Sequence, residues 1–178
     1  MVISKAAIRY AKALLDLAIE MKSLEPVYED IVMIDGICQS NADFIAMLRS
    51  PIVAKRKKVE IYEAVFQGKV NEMTIGFLKL ITTNSRENIL PEITGSFIAQ
   101  YKKNKGILDV HVTSAIALED NVKKGIFEKI HQHFEGDIEM HEKIDQSLIG
   151  GFVINIEDKQ IDASIKNQLT NLKNILLN

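Results

Sequence analysis

Apolar and polar positions change their rhythm once along this chain. Up to about residue 105 the apolar residues recur every three to four positions, the period of a helix. Ser4 is placed to cap a first helix that runs to about Lys22. Pro26 opens a second, to about Gln39, and Asn41 to Ser50 makes a short third that Pro51 stops. A fourth runs from about Ala54 to Gln67 and ends at Gly68, and a fifth from about Asn71 to Asn84. Pro91 lies in the first turn of a sixth, which reaches about Asn104. Six short helices joined by short links predict a bundle.

After Lys105-Gly106 the period falls to two. ILDVHVTSA places Leu108, Val110 and Val112 on one face and Asp109, His111 and Thr113 on the other. A helix from about Glu119 to Phe134 follows. DIEMHEKI alternates again, with Ile138, Met140 and Ile144 sharing a face. In GGFVINIEDKQIDAS, Phe152, Ile154 and Ile156 point one way, Glu157-Asp158-Lys159 turns the chain, and Gln160-Ile161 starts a return strand. Asp162 or Ser164 caps a last helix whose Ile165, Leu169, Leu172 and Leu176 form a stripe. That stripe is expected to pack on the Phe152/Ile154/Ile156 face. The predicted fold class is α+β, an N-terminal six-helix bundle over residues 1–105 followed by a small α/β unit over 106–178.

Composition agrees with a folded, core-forming chain: 178 residues, of which 47% are apolar. No run of about 18 apolar residues is present, which excludes a membrane-spanning helix. The N-terminal residues have neither a secretory nor a transit pattern, so the protein is expected to act where it is made. Cys38 is the single cysteine and reads as a small buried hydrophobe rather than a disulfide partner. The net charge of −2 is unevenly divided. Residues 1–105 carry 15 Lys/Arg and 12 Asp/Glu, a balance of +3, and residues 106–178 carry 7 and 12, a balance of −5. Neither part has the basic excess of a nucleic-acid binder.

Candidate chemistry is sparse. Gly150-Gly151 precedes a strand, whereas a phosphate loop puts its glycines between a strand and a helix and adds a lysine and a hydroxyl. The pair reads as a turn or bulge that only glycine fits. His131 and His133 diverge around a helix, and no cysteine or carboxylate cluster with metal-ligand spacing joins His111 or His141. No serine lies in a GxSxG setting. AKRKK, residues 54–58, suggests a solvated first turn, with a helical RNA- or regulator-binding adaptor as the alternative. No catalytic residue, cofactor or metal is expected.

The first helix is unusual. Lys5, Arg9, Lys12, Asp16 and Glu20 crowd into a polar stripe of about 80° of arc, leaving a wide apolar remainder. Apolar residues of the fifth helix, Met73 to Ile81, spread over roughly 220°. Two readings fit: both helices lie at the bundle centre, or a groove between them receives a partner's amphipathic helix.

AIRYAKALLDLAIE, SPIVAKRKKVEIYEAVF and GGFVINIEDKQIDASIKNQL, in this order and at this separation, resemble the delta subunit of ATP synthase, whose mitochondrial relative is the oligomycin-sensitivity-conferring protein. The resemblance covers nearly the whole chain. It departs from the family at Ala163, where glycine is usual, at Lys166, where arginine is commoner, and at Glu87, where leucine is usual. The resemblance implies a non-catalytic stator subunit that joins the catalytic head of a rotary proton-translocating ATP synthase to its peripheral stalk and resists rotor torque. It implies that the bundle holds the N-terminal helix of the alpha subunit between its first and fifth helices, at Tyr10, Ala11, Leu14, Leu78 and Ile81. It implies that the C-terminal unit docks stalk subunit b, with Gly150, Gly151, Phe152, Ile154, Ile161, Asp162 and Leu169 as the structural residues that build that unit. No nucleic acid is implied. The protein would sit on the cytoplasmic face of a bacterial plasma membrane, touching the membrane only through the complex.

Overall fold

The computed structural model describes residues 4–132, 134, 136–156, 159–165, 167 and 169. The chain divides between Tyr101 and Lys102 into two compact units. The sequence period changes four residues later, at Gly106. In that interval Lys102 is still helical in its backbone, while its ammonium pairs with Asp109 and Glu139 of the second unit.

The first unit holds α1 (Lys5–Glu20), α2 (Leu24–Ser40), α3 (Ala42–Arg49), α4 (Lys55–Phe66), α5 (Glu72–Thr83), a 3-10 turn (Glu87–Ile89) and most of α6 (Leu90–Lys105). The helix starts follow from capping chemistry. The Ser4, Asn41 and Asn71 side chains accept hydrogen bonds from the backbone N–H groups of Ala7, Phe44 and Met73. The core is built from one stripe of each helix, with Val27, Ile31 and Ile34 of α2, Tyr62 and Phe66 of α4, Leu78 and Ile81 of α5, and Leu90, Ile93 and Phe97 of α6 all buried. Each such side chain contributes about 1.5–3 kcal/mol on burial. Polar groups inside are mostly paired, Ser23 Oγ and Glu87 Oε2 being exceptions. The Asp30 carboxylate accepts from the Asn71 N–H at 2.7 Å and the Thr74 hydroxyl at 2.6 Å, which ties α2 to the start of α5.

AKRKK is only partly the solvated turn that the pattern suggests. Lys58 is buried, and its ammonium donates to the Leu48 carbonyl at 2.9 Å and to Glu87 Oε1 at 2.8 Å. Its long stem lets it reach inward from a helix whose other basic residues stay outside.

The second unit contains β1 (Ile107–Ser114), α7 (Asp120–His131), β2 (Asp137–Ile144), β3 (Phe152–Ile156) and β4 (Lys159–Asp162). The strands form one sheet in the order β2-β1-β3-β4. β1 runs parallel to β2, across the α7 connection, and antiparallel to β3, which pairs antiparallel with β4. The alternation read in β1 is the observed one: Leu108, Val110 and Val112 are buried. α7 ends at His131, short of Phe134, because the chain must turn back in time to start β2 at Asp137.

Two packing expectations are corrected. The inner sheet face is covered by α7, whose Ile126 and Ile130 join Leu108, Val110, Val112 and Ile154 in one cluster, with Phe152, Ile156, Ile138 and Met140 at its margin. Ile165 and Leu169 of the expected last helix do not supply this cover: Ile165 is exposed and Leu169 is 56% exposed, while Leu172 and Leu176 lie outside the described residues. Ile144 is likewise exposed, since it ends β2 at the sheet edge beyond the reach of α7.

Candidate functional site

Burial sorts the wide apolar surface of α1 into a sunken row and an exposed rim. Ala7, Ala11, Leu14 and Ala18 follow helical spacing and are buried. Three alanines in that row let the helix axis approach the core closely, so the rows on either side stay at the rim. Ala11 and Leu14, expected to line a groove, are 0% and 2% exposed, and Leu78 and Ile81 of α5 are 0% exposed. These four residues are core. The error has a physical cause: a helical wheel shows where apolar residues lie but not how deeply the axis is sunk.

Tyr10 is the expected partner-binding residue that reaches the surface. It meets Phe77 of α5 edge-on, with ring centroids 6.5 Å apart, and its hydroxyl accepts from the Asn84 amide at 3.3 Å. That contact marks a seam between α1 and α5. On the α1 side Ala13 and Leu17 share the face of Tyr10 and are exposed. On the α5 side Leu80 is 53% exposed and Met73, one turn before Phe77, is half-buried. The polar stripe of α1, Lys5, Arg9, Lys12, Asp16 and Glu20, is exposed throughout. The seam is therefore an apolar strip, floored by two aromatic rings and bounded by charge. Ala13 and Leu17 follow Tyr10 by one and two turns, and Leu80 follows Phe77 by one, a spacing that the sequence shows.

The basic run offers no comparable surface. Lys55 donates to the Thr83 carbonyl at 2.8 Å, Arg56 and Lys57 both pair with Glu60, and Lys58 is buried with Glu87. Among the described residues only Glu60 and Glu87 oppose these four cations, but Lys58 is committed to the core and no aromatic side chain interleaves with the run, as a nucleic-acid surface would need.

In the second unit, Gly150 and Gly151 shape the chain. Gly151 has φ +78°, and a Cβ there would run into the Ala163 carbonyl, while one on Gly150 would meet the Ile165 side chain. The carbonyls of Gly150 and Phe152 accept from the N–H groups of Ile165 and Ala163, both at 3.0 Å. Asp162 Oδ1 accepts from the Ser164 N–H at 2.9 Å, and the Ser164 hydroxyl accepts from the Asn167 N–H at 3.3 Å, so Ser164 is the cap and Asp162 holds it. Phe152 and Ile154 face the core, whereas Ile161, Ile165 and Leu169 are exposed, as is Ile149 before the glycines. A separate open cleft of about 410 Å³ lies between α7 and β2, lined in part by Phe127, Ile138 and Met140.

Neither unit brings together a nucleophile and a base on an apolar wall among the described residues. Comparison with known proteins accounts for this. The family model for the ATP synthase delta (OSCP) subunit matches residues 6–176. ATP synthase subunit delta of Cytophaga hutchinsonii is 37% identical over 171 residues, covering 96% of this chain and 93% of that protein. The subunit delta proteins of Lachnoclostridium phytofermentans and Chlorobaculum parvum are each 33% identical, over 92% and 97% of this chain and 90% and 95% of their own lengths. A chain in the cryo-EM structure of the Toxoplasma gondii mitochondrial ATP synthase hexamer shares the fold, with a TM-score of 0.79 at 23% identity, covering 98% of this chain and 99% of that one. The chain belongs to the ATP synthase delta (OSCP) family, non-catalytic components of the peripheral stalk.

Proposed function

We propose that this protein joins the catalytic head of a rotary proton-translocating ATP synthase to stalk subunit b, and that it resists the torque of the rotor. The first unit receives the N-terminal helix of an alpha subunit along the seam between α1 and α5. The second unit docks subunit b near β4, where Ile149, Ile161, Ile165 and Leu169 leave apolar surface uncovered. The complex holds the protein at the cytoplasmic face of the plasma membrane without direct membrane contact.

One observation carries the head-binding part of this reading. Ala11 is buried, while Ala13, two residues on, is exposed beside Tyr10 and in helical register with Leu17. A helix laid in an apolar groove is anchored at positions of such spacing. A charge at Ala13 reaches water in the free protein and is trapped when a partner helix arrives. Ala13→Asp in the full chain should weaken binding of a synthetic alpha N-terminal peptide tenfold or more, which is about 1.4 kcal/mol. The melting temperature should stay within about 2 °C of the parent, as for a surface change in a domain of this size. Undiminished binding with an unchanged melt would move the alpha contact away from this seam.

A further inference from the structure

The outward face of the sheet gathers a set of side chains that neither docking surface uses. β1 and β2 are parallel and in register, with Asp109 beside Glu139 and His111 beside His141. Side chains aligned in this way point to the same face. Two carboxylates therefore stand side by side, with two imidazoles one step further along, and the imidazoles stack with centroids 5.1 Å apart.

The contacts within the cluster are directional. Lys102 takes one oxygen from each carboxylate, Asp109 Oδ2 at 3.1 Å and Glu139 Oε2 at 3.0 Å. That fixes the carboxylates and turns their other oxygens toward His141. Nε2 of His141 lies 2.9 Å from Asp109 Oδ1 and 3.4 Å from Glu139 Oε1. Asp109 Oδ1 is excluded from water yet accepts no hydrogen bond, in spite of that 2.9 Å approach. The imidazole nitrogen and the oxygen are thus close without an N–H aimed from one to the other. Donor atoms so placed have the spacing of neighbours around one shared ion, since bonds of about 2.0–2.1 Å put adjacent ligands roughly 2.9–3.4 Å apart. One ligand atom each from Asp109, Glu139 and His141 lies within 4.8 Å of both others.

We propose that Asp109, Glu139 and His141 bind a divalent transition cation on the outer face of the second unit, with water or the neighbouring His111 completing its coordination. The donor set selects the metal class. An imidazole with two carboxylates suits Zn²⁺, whereas Mg²⁺ and Ca²⁺ favour oxygen ligands alone. The side chains of Glu139 and His141 are nearly half exposed, so an ion has a path in. Lys102 lowers the affinity by its charge while it aims the carboxylates.

The test is a calorimetric titration of the metal-free full chain with ZnCl₂, repeated with CoCl₂ and followed by d–d absorption. One saturable Zn²⁺ per chain is expected, with no heat from MgCl₂. His141→Ala should weaken Zn²⁺ binding at least tenfold, while His131→Ala, on α7, leaves it unchanged. Circular dichroism checks that each variant is folded, and Glu139→Gln stands in if His141→Ala is not. Absence of saturable Zn²⁺ binding overturns the proposal. So does binding that folded His141→Ala or Glu139→Gln retains in full, or that His131→Ala removes.

Discussion

Lys58 and Glu87 face each other at 2.8 Å inside the first unit, a buried cation held by a buried anion from a position 29 residues away. The two belong together chemically. An ammonium that far from water needs an opposite charge, and Glu87 supplies it where the family usually has leucine. Removing one partner leaves the other uncompensated. Glu87→Leu alone should therefore cost about 3–5 kcal/mol, read from urea unfolding of the full chain. Adding Lys58→Met to it should restore most of that loss, because two apolar side chains of similar volume replace the pair. A double variant as unstable as the single one would show that the pair does not act as a unit.

Ala11 and Ala13 separate core from surface on a single helix. Ala11→Asp buries an unpaired carboxylate and should destabilise the first unit by several kcal/mol, enough to unfold it near ambient temperature. Ala13→Asp should change stability by less than about 0.5 kcal/mol. Thermal melts of the two variants side by side measure the difference.

Ile126 and Leu169 make the same distinction in the second unit. Ile126 is in the cluster under the sheet and Leu169 is exposed. Ile126→Ala should cost about 2–5 kcal/mol and Leu169→Ala less than about 0.5 kcal/mol, judged by denaturant midpoints. Equal effects would mean that the last segment shares the cover of the sheet with α7.

Gly151 holds a backbone angle that L side chains avoid, and it lies against the Ala163 carbonyl. Gly151→Ala should destabilise the second unit by more than the ~1–2 kcal/mol of a left-handed residue, since the neighbouring chain must also move. Amide hydrogen exchange should show loss of protection concentrated in β3 and β4, with the first unit unaffected.

Cys38 gives a chemical readout of integrity. Burial, aided by the nearby Asp35 charge, pushes its thiol up to about 12. A raised acid pKa means that the thiolate is scarce at pH 8, and the thiolate is the reactive form. Ellman's reagent at pH 8 should therefore react slowly with the native protein and within seconds in 6 M guanidinium. Rapid reaction of the native form would place Cys38 at the surface.

The elements were largely legible because their signals are local. Ser4, Asn41 and Asn71 cap the helices that their chemistry marks, and β1 buries the residues that its alternation selects. What could not be read depends on neighbours distant in sequence. Nothing within reach of Lys58 along the chain announces Glu87 as its partner. Ala11 and Ala13 look alike in sequence, and only the depth to which α1 sinks among the other helices tells them apart. Ile126 and Ile165 both lie on apolar stripes, and which of them covers the sheet is decided by the crossover between two parallel strands. The cluster around His141 was hidden for the same reason: Asp109 and Glu139 become neighbours only when β1 and β2 align.

The place of β1 in the sheet also bears on how the chain is made. As the polypeptide leaves the ribosome, β1 emerges early, yet the antiparallel partner of Val110 and Val112 is the stretch from Ile154 to Ile156. Until that stretch appears, one side of β1 presents unsatisfied N–H and carbonyl groups beside a row of apolar side chains, a template for pairing with another nascent chain. A synthesis that stalls or terminates before residue 152 leaves a completed bundle attached to a sticky strand. Such fragments should self-associate, whereas those that end before residue 106 should not.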